Sequence, residues 1–406
     1  MNELKILLVV YKIQRGLGSE DGCGYTIAKA MKRLGHKITL ITRKNNAALL
    51  RDDPEFVDVR IIGVDVPRWL SFYKRRGRGI ILYYYIWQIL VGRIVRHLNR
   101  SEQFDVIHQL NFHCDWAPHF LTNPNGKLVW GPIAHHERVP FDFLQCKRYS
   151  SFLREWIREM AKRAFWRLDP FLHWAAARTD VIFYGNANLA PPFRSCKAKV
   201  VLRPQASSVP ELLADPVRPL TFKILSVGRF IPLKNFDATL DGFAAFLLRN
   251  RECGAQLTLI GSGTLEPHLR ERACELGIDC NVAFVRWGKQ SDLAEHYRTS
   301  AVFVFPSFES QGLVVAEAMG AGAPVICMEN SGPSFLAGST GAVVTRRDYQ
   351  STVSEIADRL EQLYQEWADD TKSFRFTSRM QRVRREYDRR LDTDALVDAI
   401  DAAYHG

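Results

Sequence analysis

The chain has 406 residues, enough for two or three domains, and 47% of them are apolar, which excludes a disordered protein. No apolar run approaches the roughly 18 residues that a membrane-spanning helix needs. The formal net charge of +11 is uneven, because residues 1–205 carry 33 Lys and Arg against 17 Asp and Glu. That excess predicts an anionic partner for the first half, either a membrane surface or a nucleic acid.

The cysteines and the first residues predict a cytoplasmic location. Eight cysteines are spread along the chain without a CxxC pair or a His/Cys cluster at zinc spacing. The opening residues, MNELKILLVVYK, lack the shape of a signal peptide. Free thiols are typical of the cytoplasm, and none of these cysteines stands in the sequence context of a nucleophile.

The first half opens with a strand, a helix and a second strand. Residues 4–10, LKILLVV, are a continuous apolar run, typical of a strand buried on both faces. A glycine-bearing loop at 16–24 precedes a helix that Gly35 ends, and residues 37–42 form the next strand. Further strands are predicted at 57–64, 105–110, 127–133 and 180–185. This order favours a parallel α/β sheet.

A stretch with four prolines, residues 204–220, indicates a linker, after which strands and helices alternate again. We therefore predict an N-terminal domain at 1–205, a C-terminal domain at 206–390 and a C-terminal helix at 391–406. Packing of that helix back on the N-terminal domain is one arrangement we consider. Its first acids, Asp392 and Asp394, form a DTD that is better explained as a helix cap than as a metal site.

Two carboxylates stand eight positions apart in an apolar stretch, FPSFESQGLVVAEAMGAGAPVI, at 305–326. A predicted strand delivers Glu309 to the carboxyl end of the sheet, where ligands bind in open α/β folds. A helix then begins near Gly312, and its unpaired N–H groups could bind hydroxyl or phosphate oxygens. An ionised Glu317 among apolar neighbours needs a hydrogen-bond partner. Ribose hydroxyls would serve, and so would a backbone cap or an arginine.

A second stretch, SVGRFIPLKN at 226–235, places two cations after a strand. The strand ends at Gly228, Arg229 follows, and Lys234 stands at the start of a helix. A guanidinium and an ammonium at such a place suit a diphosphate, although an isolated pair of this kind is usually solvated surface.

Together and in this order, these stretches resemble the retaining glycosyltransferases of the GT-B fold, the large family-4 group, over roughly residues 222–345. The resemblance implies two Rossmann-like parallel-sheet domains that face each other across a cleft. It also implies that Arg229 and Lys234 hold the donor diphosphate and that Glu317 binds the ribose. The donor sugar would then face Glu309 and the amides of Gln311, Gly312 and Leu313.

The resemblance extends more loosely to other residues. Gly18 matches a backbone position near the diphosphate, and Arg286 lies in a stretch that looks like the base-binding loop. His135 or His136 stands where the family has a residue near the sugar C6 hydroxyl, although paired loop histidines are often surface residues. The family often has a glycine and an aromatic residue after the first glutamate. Here these are Ser310 and Gln311, which leaves the sugar open.

The sequence thus predicts a retaining, metal-independent transferase that moves a hexose from a UDP- or GDP-linked sugar to a glycan or lipid-linked glycan. A role in cell-surface polysaccharide synthesis follows from the resemblance, and no cofactor or nucleic acid is expected. The alternatives are an epimerase or a phosphorylase on the same fold, or a basic RNA-binding protein.

One segment, residues 67–100, suggests where the protein works. It holds eight Lys and Arg and no acid, interleaved with aromatic residues that include Tyr83, Tyr84, Tyr85 and Trp87. Such a composition favours the inner face of a membrane. The alternative is a helix that packs inside its own domain. A second basic and aromatic segment lies at 152–176.

Overall fold

The computed structural model describes residues 3–15, 20–71, 79–111, 113–144, 149–185, 193, 196–202, 215–286, 288, 290–329, 331–391 and 393–405. The predictions that concern Gly18, Asp392 and the basic residues Lys74, Arg75, Arg76 and Arg78 lie outside this part of the chain.

The chain forms two compact units. The first comprises Met1–His135, Glu159–Ser207 and Thr393–Gly406, and the second comprises His136–Arg158 and Ser208–Asp392. The sequence-based division did not place residues 136–158 in the second unit. They join it because an apolar stretch enters its core, where the Phe143 ring lies 5.0 Å from that of Phe308 and 5.6 Å from that of Tyr349.

Each unit contains one parallel sheet, as predicted. In the first unit the strands are β1 (Lys5–Val10), β2 (Lys37–Thr42), β3 (Arg60–Gly63), β4 (Val106–Asn111), β5 (Lys127–Ile133), β6 (Val181–Tyr184) and β7 (Lys199–Leu202). They are arranged in the order β3-β2-β1-β4-β5-β6-β7. The edge strand β7 was not predicted, since it has four residues and most of them are exposed.

The second sheet has six strands, β8 (Lys223–Val227), β9 (Gln256–Ile260), β10 (Val282–Val285), β11 (Val302–Phe305), β12 (Val325–Met328) and β13 (Ala342–Val344). Their order is β10-β9-β8-β11-β12-β13, with every pair parallel. The order reverses at β8, so that β9 and β10 lie on one side of it and β11 to β13 on the other.

The helices are α1 (Glu20–Arg33), α2 (Lys44–Arg51), α3 (Ile80–Glu102), α4 (Tyr149–Leu168), α5 (Pro170–Arg178), α6 (Phe236–Arg249), α7 (Glu266–Glu275), α8 (Gln290–Arg298), α9 (Leu313–Gly320), α10 (Gly332–Ala337), α11 (Tyr349–Ala368), α12 (Asp370–Ser373), α13 (Arg375–Leu391) and α14 (Thr393–His405). They explain why the central strands are continuous apolar runs. Along β1, for example, Ile6 and Leu8 enter one buried cluster while Leu7 and Val9 enter another. A strand covered on both faces has no position for a solvated side chain.

Helix α3 packs inside its own unit, which supports the alternative that the sequence left open. Tyr83, Tyr84 and Trp87 are buried, and the Trp87 indole donates a hydrogen bond to the carbonyl of Val64 at 2.8 Å. The prediction that these three aromatic residues anchor a membrane is therefore wrong. Among the described residues, no helix is both long enough and apolar enough to cross a bilayer.

The C-terminal helix α14 belongs to the first unit and is held there by polar contacts. The Tyr404 hydroxyl lies 2.6 Å from Nδ1 of His108, and Nε2 of His36 lies 2.8 Å from an Asp401 carboxylate oxygen. His36 Nδ1 accepts the amide proton of Leu4 at 3.3 Å, so the neutral ring carries its proton on Nε2 and donates it to Asp401. These contacts match the arrangement that we considered from the sequence, in which residues 391–406 pack back on the N-terminal domain.

Two buried histidines make the stability of the first unit depend on pH. Burial lowers the pKa of His108 to about 4 and that of His119 to about 3. In the unfolded chain both pKa values return to about 6.5, so the unfolded state binds more protons between pH 6.5 and 4. We expect the free energy of unfolding to be greatest above pH 6.5 and to fall below it. Each histidine contributes a slope of up to about 1.4 kcal/mol per pH unit.

Urea unfolding at a series of pH values measures this slope. His119→Asn should make the slope shallower, because it removes one of the groups that takes up a proton on unfolding. His97→Asn, at an exposed position, is the matched control and should leave the slope unchanged. A midpoint that stays constant from pH 7.5 to pH 4.5 in the unmodified protein would contradict the expectation.

Candidate functional site

The loops that follow β8 and β11 lie side by side in the second unit. These strands are hydrogen-bonded neighbours although about 75 residues separate them in the sequence. Because the strand order reverses at β8, the chain continues from β8 and from β11 toward opposite edges of the sheet, and ligands of open α/β sheets bind in the crevice at such a point. The predicted residues Gly228, Arg229, Lys234 and Glu309 all lie on these two loops.

Lys234 and Glu309 form an ion pair between the two loops. The Lys234 ammonium lies 2.5 Å from Oε2 of Glu309 and 4.7 Å from the centre of the Phe305 ring. The lysine side chain passes close to Gly228, where a Cβ atom would come within 3.3 Å of its Cε. Gly228 also has a φ of +155°, a conformation that favours glycine. The glycine predicted from the sequence therefore makes room for the lysine.

Burial and the nearby charges act on the Lys234 ammonium in opposite directions. Burial lowers the pKa of its ammonium, and the neighbouring charge of Arg229 lowers it further, while Glu309 and Glu317 oppose both effects. Arg229 itself is exposed. Two cations and two carboxylates therefore share this site, and Arg229 is the exposed cation that an incoming anion could contact first.

Helix α9 begins at the end of the Glu309 loop, as predicted. Gly312 precedes its first residue, Leu313, and its carbonyl accepts the amide protons of Val315 and Ala316 at 2.8 and 3.0 Å. A Cβ atom on Gly312 would come within 3.0 Å of the backbone of Pro333. A glycine here therefore lets α9 start close against α10. Gln311 is buried at this helix start.

Glu317 has a partner that the sequence did not identify. The carboxylate is buried on α9, and the Tyr297 hydroxyl of α8 donates to its Oε2 at 2.8 Å. Burial and the Glu317 charge together raise the pKa of Tyr297 well above its usual value. The only sequence signal for Tyr297 is that it follows Leu293 and Ala294 on the buried side of α8.

Arg286 lies on a separate cavity of about 230 Å³ at the ends of β9 and β10. Apolar side chains and polar groups line it together; they are Ile260, Val285, Arg286, Gly288, Asp292, Leu293 and His296. A cavity of this mixed character suits a ligand that has both apolar surface and hydrogen-bonding groups.

The two neighbouring histidines lie in different units. His136 belongs to the second unit, where its Nδ1 accepts the amide proton of Ser310 at 3.2 Å, immediately after Glu309. Glu137 pairs with Arg346 in the same unit. Of the two histidines considered from the sequence, His136 is therefore the one in contact with the Glu309 loop. That loop comprises residues 307–312.

His135 belongs to the first unit and sits in a buried polar cluster. Its Nδ1 lies 2.6 Å from Oδ2 of Asp115, which also accepts a hydrogen bond from the Tyr184 hydroxyl at 2.7 Å. The Trp166 indole donates to the other Asp115 oxygen at 3.3 Å. Asp115 thus fixes the ring orientation of His135, and burial together with the charge of Asp115 raises the pKa of Tyr184. No local sequence pattern singled out Asp115, and a catalytic role for His135 stays a prediction.

Among the described residues, one group of His and acid side chains is close enough to share a cation, and it is His36, Asp401 and His405 in the first unit. Nε2 of His36 directs a proton, and not a lone pair, at Asp401. It would have to lose this proton before it could bind a metal ion. The seven cysteines in the described part of the chain are free thiols, and burial raises the pKa of Cys327 to about 12. A thiol with a raised pKa stays protonated, so Cys327 is not an activated nucleophile.

Known proteins resemble part of the chain in sequence. Residues 221–366 match the family described as Glycosyl transferases group 1. A D-inositol 3-phosphate glycosyltransferase 2 from Catenulispora acidiphila is 36% identical over 148 residues, which are 33% of this chain and 35% of that protein. Mannosylfructose-phosphate synthase from Agrobacterium fabrum is 31% identical over 116 residues, 27% of this chain and 26% of that protein. The matches thus span about a third or less of these relatives.

Solved structures resemble the whole chain. Sucrose-phosphate synthase from Thermosynechococcus elongatus has a TM-score of 0.65 at 17% identity, covering 99% of this chain and 98% of that one. HepE from Anabaena, solved with UDP-glucose, has a TM-score of 0.61 at 16% identity, covering 99% of both chains. At this identity the likeness shows the fold, which is that of GT-B glycosyltransferases, and residues 221–366 carry the similarity to glycosyl transferases of group 1.

Proposed function

We propose that the chain is a glycosyltransferase that moves a hexose from a UDP- or GDP-linked donor to a hydroxyl group of an acceptor. The ion pair of Lys234 and Glu309 at the reversal point of the second sheet is the observation that carries this proposal. The match of residues 221–366 to glycosyl transferases supports it, and so does the solved complex of the similar HepE with UDP-glucose.

The Lys234–Glu309 pair suits a donor that brings its own negative charge. A diphosphate that approaches Lys234 and Arg229 would replace Glu309 as the partner of the ammonium, and the carboxylate could then turn to the hydroxyls of the sugar. As the bond from the anomeric carbon to the phosphate oxygen breaks, its electron pair stays on the diphosphate. The acceptor oxygen bonds to the anomeric carbon, and the acceptor hydroxyl gives its proton to the departing phosphate oxygen. The two cations and the amides at the start of α9 stabilise the charge that develops there.

The remaining parts of the donor have candidate positions in the same unit. The cavity beside Arg286 would take the base, and the Glu317 carboxylate would take the ribose hydroxyls, with Tyr297 holding it in place. We also propose that the reaction retains the configuration of the anomeric carbon and needs no metal ion. This part rests on the resemblance of residues 309–317 and 228–234 to the retaining glycosyltransferases of the GT-B fold. We assign no covalent nucleophile.

The proposed acceptor is inferred from the charge of the first half of the chain. A glycan or a lipid-linked glycan of the cell surface, reached at the inner face of a membrane, fits the excess positive charge of residues 1–205. His135 and Gly18 remain candidates for contacts to the sugar and the diphosphate. An epimerase or a phosphorylase on the same fold is the alternative, and release of free nucleoside diphosphate in the presence of acceptor distinguishes the transferase from the epimerase.

A thermal-shift screen with UDP, GDP, ADP and their sugars tests donor binding directly. A ligand present at a hundred times its Kd stabilises the folded state by about 2.7 kcal/mol. We expect one uridine or guanosine diphosphate to raise the melting temperature, and adenosine diphosphate to do so less. No shift with any nucleotide at millimolar concentration would contradict the proposal.

Removal of the cations should slow sugar transfer while the protein stays folded. We expect Arg229→Ala and Lys234→Gln to lower kcat by about 10²–10³, because the leaving diphosphate loses a positioned partner. Arg298→Ala, which removes a half-exposed arginine of the same unit that pairs with Glu295, is the matched control. Turnover close to normal in both site variants would remove these residues from the site.

Variants of Glu317 and Tyr297 should separate an effect on nucleotide binding from an effect on the stability of the protein. Glu317→Gln keeps an oxygen that accepts from Tyr297 but removes the charge, so the melting temperature should change little while the Kd for nucleotide rises about tenfold. Tyr297→Phe should lower the melting temperature, because it leaves a buried carboxylate short of a donor. If Glu317→Gln melts lower yet binds nucleotide as before, Glu317 has only a structural role.

A further inference from the structure

The α4–α5 face, which we define as Met160, Ala164, Leu168 and Phe171, is an apolar surface on the first unit. The side chains of Met160, Leu168 and Phe171 are 45%, 77% and 49% exposed. On α4 the first three positions are spaced by four residues and lie on one side of the helix, and Phe171 follows at the start of α5. Single exposed apolar residues are common, but a contiguous group of this kind marks an interaction surface.

This face surrounds an open cavity of about 370 Å³ with almost entirely apolar walls. Its lining residues are Tyr85, Ala164, Phe165, Leu168, Asp169, Pro170 and Phe171. Asp169 is the one acid among them, and its carboxylate already accepts the amide protons of Phe171 and Leu172 and the Tyr85 hydroxyl proton. The walls therefore favour a hydrocarbon occupant over a polar one.

Packed aromatic rings support the cavity from below. The Phe171 ring lies 6.2 Å from that of Tyr85 and 5.4 Å from that of Phe120, and Phe120 lies 6.2 Å from Trp174. Tyr and Trp rings of this kind are typical of surfaces that meet the boundary between lipid and water. Phe171 of the exposed face is thus packed against the aromatic rings of Tyr85 and Phe120.

Positive charge surrounds the face. Between residues 159 and 178 the chain has four Lys and Arg against two acids. Glu159 is engaged by Lys162 and Arg163, and Asp169 is engaged as described. Arg167 is exposed, and the Arg178 guanidinium lies 4.5 Å above the Trp174 ring. The uncompensated charge at this face is therefore positive.

We propose that the α4–α5 face docks on an anionic phospholipid membrane, with hydrocarbon at the cavity and lipid phosphates at the surrounding arginines. Charge complementarity favours an anionic membrane over a second copy of the chain as the partner of this face. A second copy of the chain would set these arginines against one another, whereas an anionic leaflet offers hydrocarbon and negative charge at one surface. The inference rests on the proposed function for its membrane location and names the surface that makes the contact.

Sedimentation of the full chain with vesicles tests this inference. We expect binding to phosphatidylcholine vesicles that contain phosphatidylglycerol, weaker binding to phosphatidylcholine alone, and loss of binding as salt rises. Leu168→Gln together with Phe171→Gln should lower the partition coefficient about tenfold. Leu220→Gln together with Leu248→Gln, two exposed leucines of the second unit, is the matched control and should not.

The charge is tested separately. Arg163→Gln with Arg167→Gln should weaken binding and flatten its salt dependence, while Arg249→Gln with Arg298→Gln in the second unit should do neither. Unmodified protein that stays in the supernatant, or a Leu168/Phe171 variant that binds as the unmodified protein does, overturns the inference. So does a dimer in size-exclusion chromatography that the same variant converts to a monomer, since the face then joins two copies.

Nucleotide binding measured on the same variants without vesicles separates this inference from the proposed function. The α4–α5 face and the Lys234 loop belong to different units. Failure of vesicle binding with an intact thermal shift on UDP or GDP removes only the membrane contact. Failure of the thermal shift with intact vesicle binding removes only the transferase.

Discussion

The burial of the central parallel strands on both faces is the constraint on which the rest of the structure depends. Alternate residues of a strand such as β1 enter two different apolar clusters, so polar side chains have no place along its length. The polar groups that carry chemistry are therefore found on the loops after the strands. In the second unit the reversal of strand order at β8 brings two such loops together, although one begins at Gly228 and the other near Ser307.

The ion pair between Lys234 and Glu309 stabilises the site without ligand, and it also sets the conditions for binding an anion. A buried ammonium alone would be costly, and so would a partly buried carboxylate, so each of Lys234 and Glu309 stabilises the other in the absence of ligand. The same pairing means that a diphosphate has to compete with Glu309 for the lysine. Such an exchange replaces one anion by another and leaves the ammonium partnered throughout. Gly228 is needed in either state, because the lysine side chain passes over it.

Contacts between residues far apart in sequence decided what the histidine pair and the aromatic segments do. His135 and His136 are neighbours, yet one is held by Asp115 in the first unit and the other accepts from Ser310 in the second. Likewise three aromatic residues of α3 are buried, while Leu168 of α4 and Phe171 of α5 are exposed, although both segments are basic and rich in aromatic residues. Composition reports that a segment is amphipathic, but it does not report what lies against its apolar side.

The sequence by itself determined the two parallel α/β sheets, because continuous apolar runs separated by amphipathic helices have few other ways to be buried. It also determined that Gly228, Lys234, Glu309 and Gly312 follow or begin particular elements, since strand ends and helix starts are marked locally by glycine and by the change of period. Only the tertiary structure decided that Tyr297 holds Glu317, that Asp115 orients His135 and that residues 136–158 join the second unit. Those contacts depend on how elements pack across a sheet or a core, and no local pattern encodes that packing.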